Sequence, residues 1–242
     1  RSGRNWFWAR TSGDFTEFWI NGQRLPSPGT DAEWISDEEF ERSPILRQPT
    51  VVPGEGEESW RLIRLTPRGP QPVTERPVYA TVEGSYVEST DGGAFALLAE
   101  VTEGVTGVVW NGKTVKTWSE RDGETVWLGE LAISPRGSEL AYVDPAGGSV
   151  YVVAGSRRWG PYREVKPLRE RPAIQYSANG QHVAYLAQTS GESSLRLFLN
   201  GQPTTFACDG VVMFGEPSWD AQGALRFMAI REGRVVRVTA RP

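Results

Sequence analysis

The sequence predicts an all-β fold of short, stacked four-stranded sheets, and three observations carry that prediction. A small polar turn ending in glycine recurs at nearly even intervals, a second glycine turn recurs beside it, and capped helical spacing is not sustained anywhere in the 242 residues. Composition agrees: 27 Gly, 17 Pro and 10 Trp against only 2 Met point to many tight turns between short strands.

The first marker is Ser89-Thr90-Asp91-Gly92 before AFALLAE, Ser134-Pro135-Arg136-Gly137 before ELAYVD, Ser177-Ala178-Asn179-Gly180 before HVAYLA, and Asp220-Ala221-Gln222-Gly223 before LRFMAI. Its glycines stand 43 to 45 residues apart. The second marker follows an apolar strand each time: Asn21-Gly22, Arg68-Gly69, Asn111-Gly112, Ala154-Gly155 and Asn200-Gly201, with glycines 43 to 47 residues apart. Asn-Gly between strands signals a hairpin, because a type I′ turn needs positive φ at both central residues. Both markers report one repeating unit built of hairpins.

Within the best-patterned unit, four strands are expected at 131–134, 139–144, 149–154 and near 161–165. Runs such as LAYV and VYVV are nearly continuous in apolar residues, so these strands should be covered on both faces. The acidic stretch Asp31–Glu41 fits either a helical turn or a degenerate strand. Four-stranded units of this length, stacked radially, are the blades of a β-propeller. About six blades are expected in one domain, at 1–30, 31–77, 78–126, 127–168, 169–212 and 213–242, with five or seven left open. The first blade would lack its inner strand and the last its outer strand. A segment upstream of Arg1, on the order of 15–25 residues, would fill both gaps, and an open ring closed by a partner is the alternative.

Charge and composition exclude several function classes. Lys plus Arg number 26 against 30 Asp plus Glu, a net charge of −4, which argues against a grip on nucleic-acid phosphates. The single cysteine, Cys208, excludes an internal disulfide, and the single histidine, His182, leaves no His cluster for a metal. No run approaches eighteen apolar residues. Gly54-Glu55-Gly56 lacks the Lys-Ser/Thr of a phosphate loop, and no nucleophile elbow or calcium loop is present. His182 reads as a turn-proximal residue and Cys208 as a small packed one. No catalytic residue, metal ligand or cofactor is expected.

The segments SPRGSELAYVDPAGGSVYVVAG and SANGQHVAYLAQTSGESSLRLFLNG resemble the S-P-D-G-x-x-[L/I]-A-[Y/F] repeat of TolB-type propellers, from Tyr86 onward. The repeat's Asp is kept at Asp91 and replaced by Arg136, Asn179 and Gln222; its Pro is kept only at Pro135. The resemblance implies a WD-repeat-like propeller, a habit of binding other proteins, and a periplasmic or cell-surface location, with the cytoplasm as the alternative. It carries no catalytic residue across.

The loops joining second to third strands are the expected partner-binding rim. They place Asp14, Glu55, Glu57, Glu58, Glu103, Asp144, Glu192 and Glu232 there, while Arg76, Arg121, Arg169 and Arg171 fall in blade-to-blade loops. Solvated turn residues would give the same pattern. Trp60 and Trp110 are expected to pack between sheets, whereas Trp118, Trp127 and Trp159 fall in or near outer strands and are candidate exposed anchors. The expected role is a non-catalytic interaction module or accessory subunit of an extracytoplasmic assembly. Its partners would be other protein subunits and not nucleic acid, with membrane association only through a partner or an upstream segment. A carbohydrate-binding propeller using exposed Trp, or the lid of a hydrolase, are the alternatives.

Overall fold

Hydrogen bonding explains why the polar turn repeats. In the structure, a computed structural model that describes residues 7–12, 15–20, 22–24, 33–34, 45–51, 58–66, 69–74, 77–82, 85–90, 92–119, 131–167, 173–212 and 218–242, each turn closes on itself. The N–H of Gly92, Gly137, Gly180 and Gly223 donates to the carbonyl three residues earlier, over 2.8 to 3.0 Å. These glycines have φ between 68° and 78°, a region that side chains disfavour. The side chain at the first turn position then accepts the N–H that leads into the next strand. Ser89 Oγ takes it from Ala94 at 2.9 Å, Ser134 Oγ from Glu139 at 3.0 Å, Ser177 Oγ from His182 at 2.9 Å, and Asp220 Oδ1 from Ala224 at 2.8 Å. A short oxygen-bearing side chain is what this geometry requires. The repeated serine is therefore structural.

The chain divides into two compact units, Arg1–Tyr86 with Leu97–Asp122, and Val87–Ala96 with Gly123–Pro242. In the first, β1 (Phe7–Ser12), β2 (Phe15–Ile20) and β3 (Gln23–Arg24) form one antiparallel sheet. A second sheet follows in the order β4 (Glu33–Trp34), β5 (Ile45–Val51), β6 (Glu58–Thr66), β7 (Gly69–Pro72). Within the acidic stretch 31–41, Glu33–Trp34 is a short strand paired with Arg47 and Leu46, and the other residues of that stretch lie outside the described residues. β8 (Ala80–Thr81) lies in this unit, and β9 (Val87–Glu88) in the other. Both pair with β10 (Phe95–Thr102), which runs through the two units, and β11 (Val105–Trp110) and β12 (Lys113–Ser119) complete that sheet. Leu62, Val78, Leu97, Val108 and Val109 are buried, and Val78 exchanges backbone hydrogen bonds of 2.6 and 2.8 Å with Trp60.

The second unit holds three further sheets. The first meanders through β13 (Leu131–Ile133), β14 (Leu140–Ala146), β15 (Ser149–Ala154) and β16 (Arg157–Tyr162). The fourth strand differs from the expected 161–165. The turn after Ala154 consumes only two residues, so pairing resumes at Arg157, opposite Ala154, and has ended by Arg163. The following residues, β17 (Glu164–Lys166), have crossed to the next sheet, where Val165 lies opposite Ala187. That sheet contains β17, β18 (Gln175–Tyr176), β19 (Val183–Gln188), β20 (Leu195–Leu199) and β21 (Gln202–Cys208). The last comprises β22 (Gly210–Val211), β23 (Ser218–Trp219), β24 (Leu225–Arg231) and β25 (Arg234–Ala240).

Face-to-face packing holds these sheets together. Ala141, Val152 and Tyr162 of one sheet meet Val183, Tyr185 and Phe198 of the next. On the other side, Leu195, Leu197 and Leu199 meet Leu225 and Phe227. Residues Val183 to Ala187 are all inaccessible to solvent, because β19 is covered on both faces. That explains its unbroken apolar run. At about 1.5–3 kcal/mol for each fully buried Leu or Tyr-sized side chain, this contact dominates stability. Up-and-down antiparallel sheets of about four strands, each shielding the next, are the blades of a β-propeller, and no α-helix occurs among the described residues. The fold class is all-β of this kind.

Candidate protein-interaction surface

In the second unit the repeated turns lie side by side. The Thr90 N–H donates to the Pro135 carbonyl at 3.1 Å, and a Cβ on Gly180 would lie 3.5 Å from Pro135 Cδ. The loops joining second to third strands, at Gly147-Gly148, Thr189–Ser194 and Glu232-Gly233, therefore share the opposite end. The rim candidates divide sharply there. Glu192 accepts from Thr189 Oγ1 and from Arg196, each at 2.6 Å, and these contacts hold its carboxyl below the ordinary range. Glu232 is exposed at its turn, 3.8 Å from the Arg231 guanidinium, and its N–H donates to Asp209 at 2.7 Å.

Asp144 corrects the expectation. It lies within β14, opposite Tyr151, and only 4% of its surface is exposed. The strand continues through Pro145 and Ala146 before turning, which draws Asp144 back from the rim to face β16. There Arg158 lies 3.2 Å from its carboxylate and 3.6 Å above the Tyr151 ring. In the first unit, Glu103 is exposed at the two-residue turn between β10 and β11. Asp14, Glu55, Glu57, Arg76, Arg121, Arg169, Arg171 and Trp127 lie outside the described residues, and Glu58 opens β6.

The exposed-aromatic expectation is also corrected. Trp118 is buried, 9% exposed, with Lys116 Nζ 5.7 Å from its ring. Trp159 is half-buried, lies over the Gly201 backbone and stacks on Tyr185 at 6.1 Å. Trp118 is thus buried, and Trp159 is partly covered by its packing on Gly201 and Tyr185. Trp60 and Trp110 are half-buried in their strands.

His182 and Cys208 have structural surroundings. The His182 ring nitrogen Nδ1 lies 3.0 Å from Asn200 Nδ2, and the ring stacks on Trp219. Cys208 is 1% exposed, and burial pushes its thiol upward, away from the nucleophilic thiolate. Among the described residues, no three His, Cys, Asp or Glu side chains converge to hold a metal.

One surface was missed by the sequence reading. Between β21 and β25 runs a groove of about 510 Å³, lined by Thr204, Phe206, Val236, Arg237, Val238 and Arg241 among others. β25 is the third strand of its sheet, and among the described residues no strand pairs with its outer side. The corresponding third strands β11, β15 and β20 are each followed by a fourth. Val235 is 59% exposed and Ile230, opposite it, 36%. Exposed apolar residues at an unpaired edge are the usual mark of a docking surface or an aggregation liability. The groove depends on Phe206 of the neighbouring sheet, which local pattern cannot place.

No family model matches the chain, and no curated protein does. Solved structures similar to it include TolB from Acinetobacter baumannii, at 13% identity over 93% of this chain and 59% of that one, with a TM-score of 0.34. Sqt1 from Chaetomium thermophilum is similar at 14% identity over 97% and 63%, with a TM-score of 0.39. A eukaryotic initiation factor is similar at 14% identity over 99% and 60%, with a TM-score of 0.45. The chain spans about three fifths of the length of these proteins. None of these likenesses carries a role across.

Proposed function

We propose that this chain is a non-catalytic interaction module, a subunit that docks another protein along the outer edge of its last sheet. The supporting observation is the groove of about 510 Å³ beside β25, whose outer side pairs with no strand among the described residues, with Val235 and Ile230 exposed next to it. Glu192 and Glu232, at the tips of second-to-third-strand loops of the same unit, are proposed as accessory polar contacts that orient the partner. An extracytoplasmic setting is part of the proposal and draws only on the TolB-type repeat.

Affinity capture from the source cells tests the module, with the wild-type chain and an Ile230→Asp/Val235→Asp variant compared by quantitative mass spectrometry. A stoichiometric partner retained by the wild type and lost from the variant is expected. Both positions are exposed, so the variant should keep its melting temperature. No stoichiometric partner, or one held equally by both chains, overturns the proposal.

A further inference from the structure

We propose that His182 and Asn200 form a proton-sensitive latch in the second unit, closed while the imidazole is neutral and opened when the ring takes up a second proton. It is a conformational device separate from the docking surface above, and it works because two donors compete for one oxygen.

Hydrogen bonding defines the closed state. Asn200 Oδ1 accepts the Val183 N–H at 2.9 Å, which fixes the amide orientation, because the reverse would set its NH2 group against that N–H. Asn200 Nδ2 then lies 3.0 Å from His182 Nδ1 and can only donate. Nδ1 is therefore the bare acceptor nitrogen, and the ring proton sits on Nε2. A second proton on Nδ1 puts two donors face to face. Turning the amide over satisfies the ring but leaves Nδ2 facing the Val183 N–H. Val183 is inaccessible to solvent, so an unpaired N–H there is costly. The corner is already short of acceptors. The Trp219 indole stacks on the His182 ring at 6.3 Å, and its Nε1 is buried without a hydrogen-bond partner among the described residues.

The surroundings leave the ring and the amide as the moving parts. Ser177 pins the His182 backbone from both sides: its Oγ accepts the His182 N–H and its own N–H donates to the His182 carbonyl, each at 2.9 Å. Charged groups on the elements packed here are committed elsewhere. The turn 177–181 and the Asn200-Gly201 turn carry none. Asp220, next to Trp219, accepts the Ala224 and Gln222 N–H groups and holds Arg226 at 2.8 Å. Tyr176, opposite Val183, donates its hydroxyl to Glu139, which also holds Arg157. Among the described residues, the ring contacts Asn200 and Trp219, with no carboxylate paired to hold it as a cation. Opening the latch loosens the start of β19 and the turn after β20, whose Gly201 seats Trp159 of the preceding sheet. A proton gained by one imidazole thus reaches contacts among three sheets.

Nuclear magnetic resonance of the full chain tests it, and because His182 is the single histidine its ring signals are unambiguous. An imidazole changes charge between about pH 8 and 5. Over that range the Val183 amide should lose about tenfold in protection against hydrogen exchange, after correction for intrinsic rates, in step with the ring signals. His182→Gln keeps an acceptor for the Asn200 amide and has no proton to gain, so its Val183 protection should stay flat. Asn200→Asp offers a carboxylate oxygen to each donor and suits the same positive-φ turn, so its Val183 protection should rise as the ring charges. A ring that stays neutral across the range, or constant Val183 protection in the wild type, overturns the latch. So does an acid-induced loss in His182→Gln, or protection in Asn200→Asp that fails to rise.

Discussion

Trp159 lies directly over Gly201, so closely that a Cβ on the glycine would stand 2.1 Å from the ring's Cδ1. Two demands coincide at this glycine. Asn200 and Gly201 have φ of 51° and 77°, the type I′ turn joining β20 to β21, and the ring of the preceding sheet needs the bare backbone as its seat. Gly201→Ala therefore adds left-handed strain to a steric clash. The expected loss is about 2–4 kcal/mol, read by urea denaturation. Asn200→Gly keeps the turn and should cost far less, though it removes the Asn200 side chain's contacts with the Val183 N–H and His182. Equal losses in the two variants would show that the ring contact is unimportant.

A buried pair of phenols joins the same two sheets. The hydroxyls of Tyr162 and Tyr185 lie 2.8 Å apart, both residues are nearly inaccessible, and burial raises both pKa values. Each hydroxyl completes the other, which avoids an unpaired polar atom in the interior. Tyr185→Phe strands the Tyr162 hydroxyl and is expected to cost about 1–3 kcal/mol. Changing both to Phe removes the two polar atoms together and should cost less than the sum of the single changes. A double-mutant cycle by chemical denaturation measures this, and strict additivity would contradict the pairing.

These two contacts show what local pattern can and cannot reveal. The Ser134-Pro135-Arg136-Gly137 turn was legible because all its bonds close within six residues, so the side-chain requirement is written in adjacent letters. The continuous apolar run of β19 was legible because coverage on both faces leaves no polar alternation. Trp159 was misread as exposed because its seat, Gly201, belongs to another sheet. Asp144 was misread because a Pro in DPAGG suggests a turn, whereas Pro145 continues the strand opposite Val150. The groove beside β25 was not legible, because it depends on Phe206 across the sheet interface.

Asp220 gives the last prediction, because it occupies the first turn position where three other repeats have serine. Its carboxylate accepts the Ala224 N–H at 2.8 Å, which most lowers its pKa; the Gln222 N–H at 3.0 Å and Arg226 at 2.8 Å act in the same direction. A folded-state pKa below the unfolded value of about 3.9 means that folding favours the ionised form. That stabilisation is fully present above pH of about 4 and disappears as pH falls through the lower, folded value. Asp220→Ser supplies the neutral oxygen used by Ser89, Ser134 and Ser177, so it should preserve the turn and lose only the charge-dependent part. Melting temperatures measured from pH 7 down to the acid limit should start highest for the wild type, then Asp220→Ser, then Asp220→Ala. The gap between wild type and Asp220→Ser should close in acid, while the gap between Asp220→Ser and Asp220→Ala should persist. Parallel curves for the wild type and Asp220→Ser would mean that the Arg226 ion pair and the ionised acceptor contribute nothing beyond the hydrogen bond.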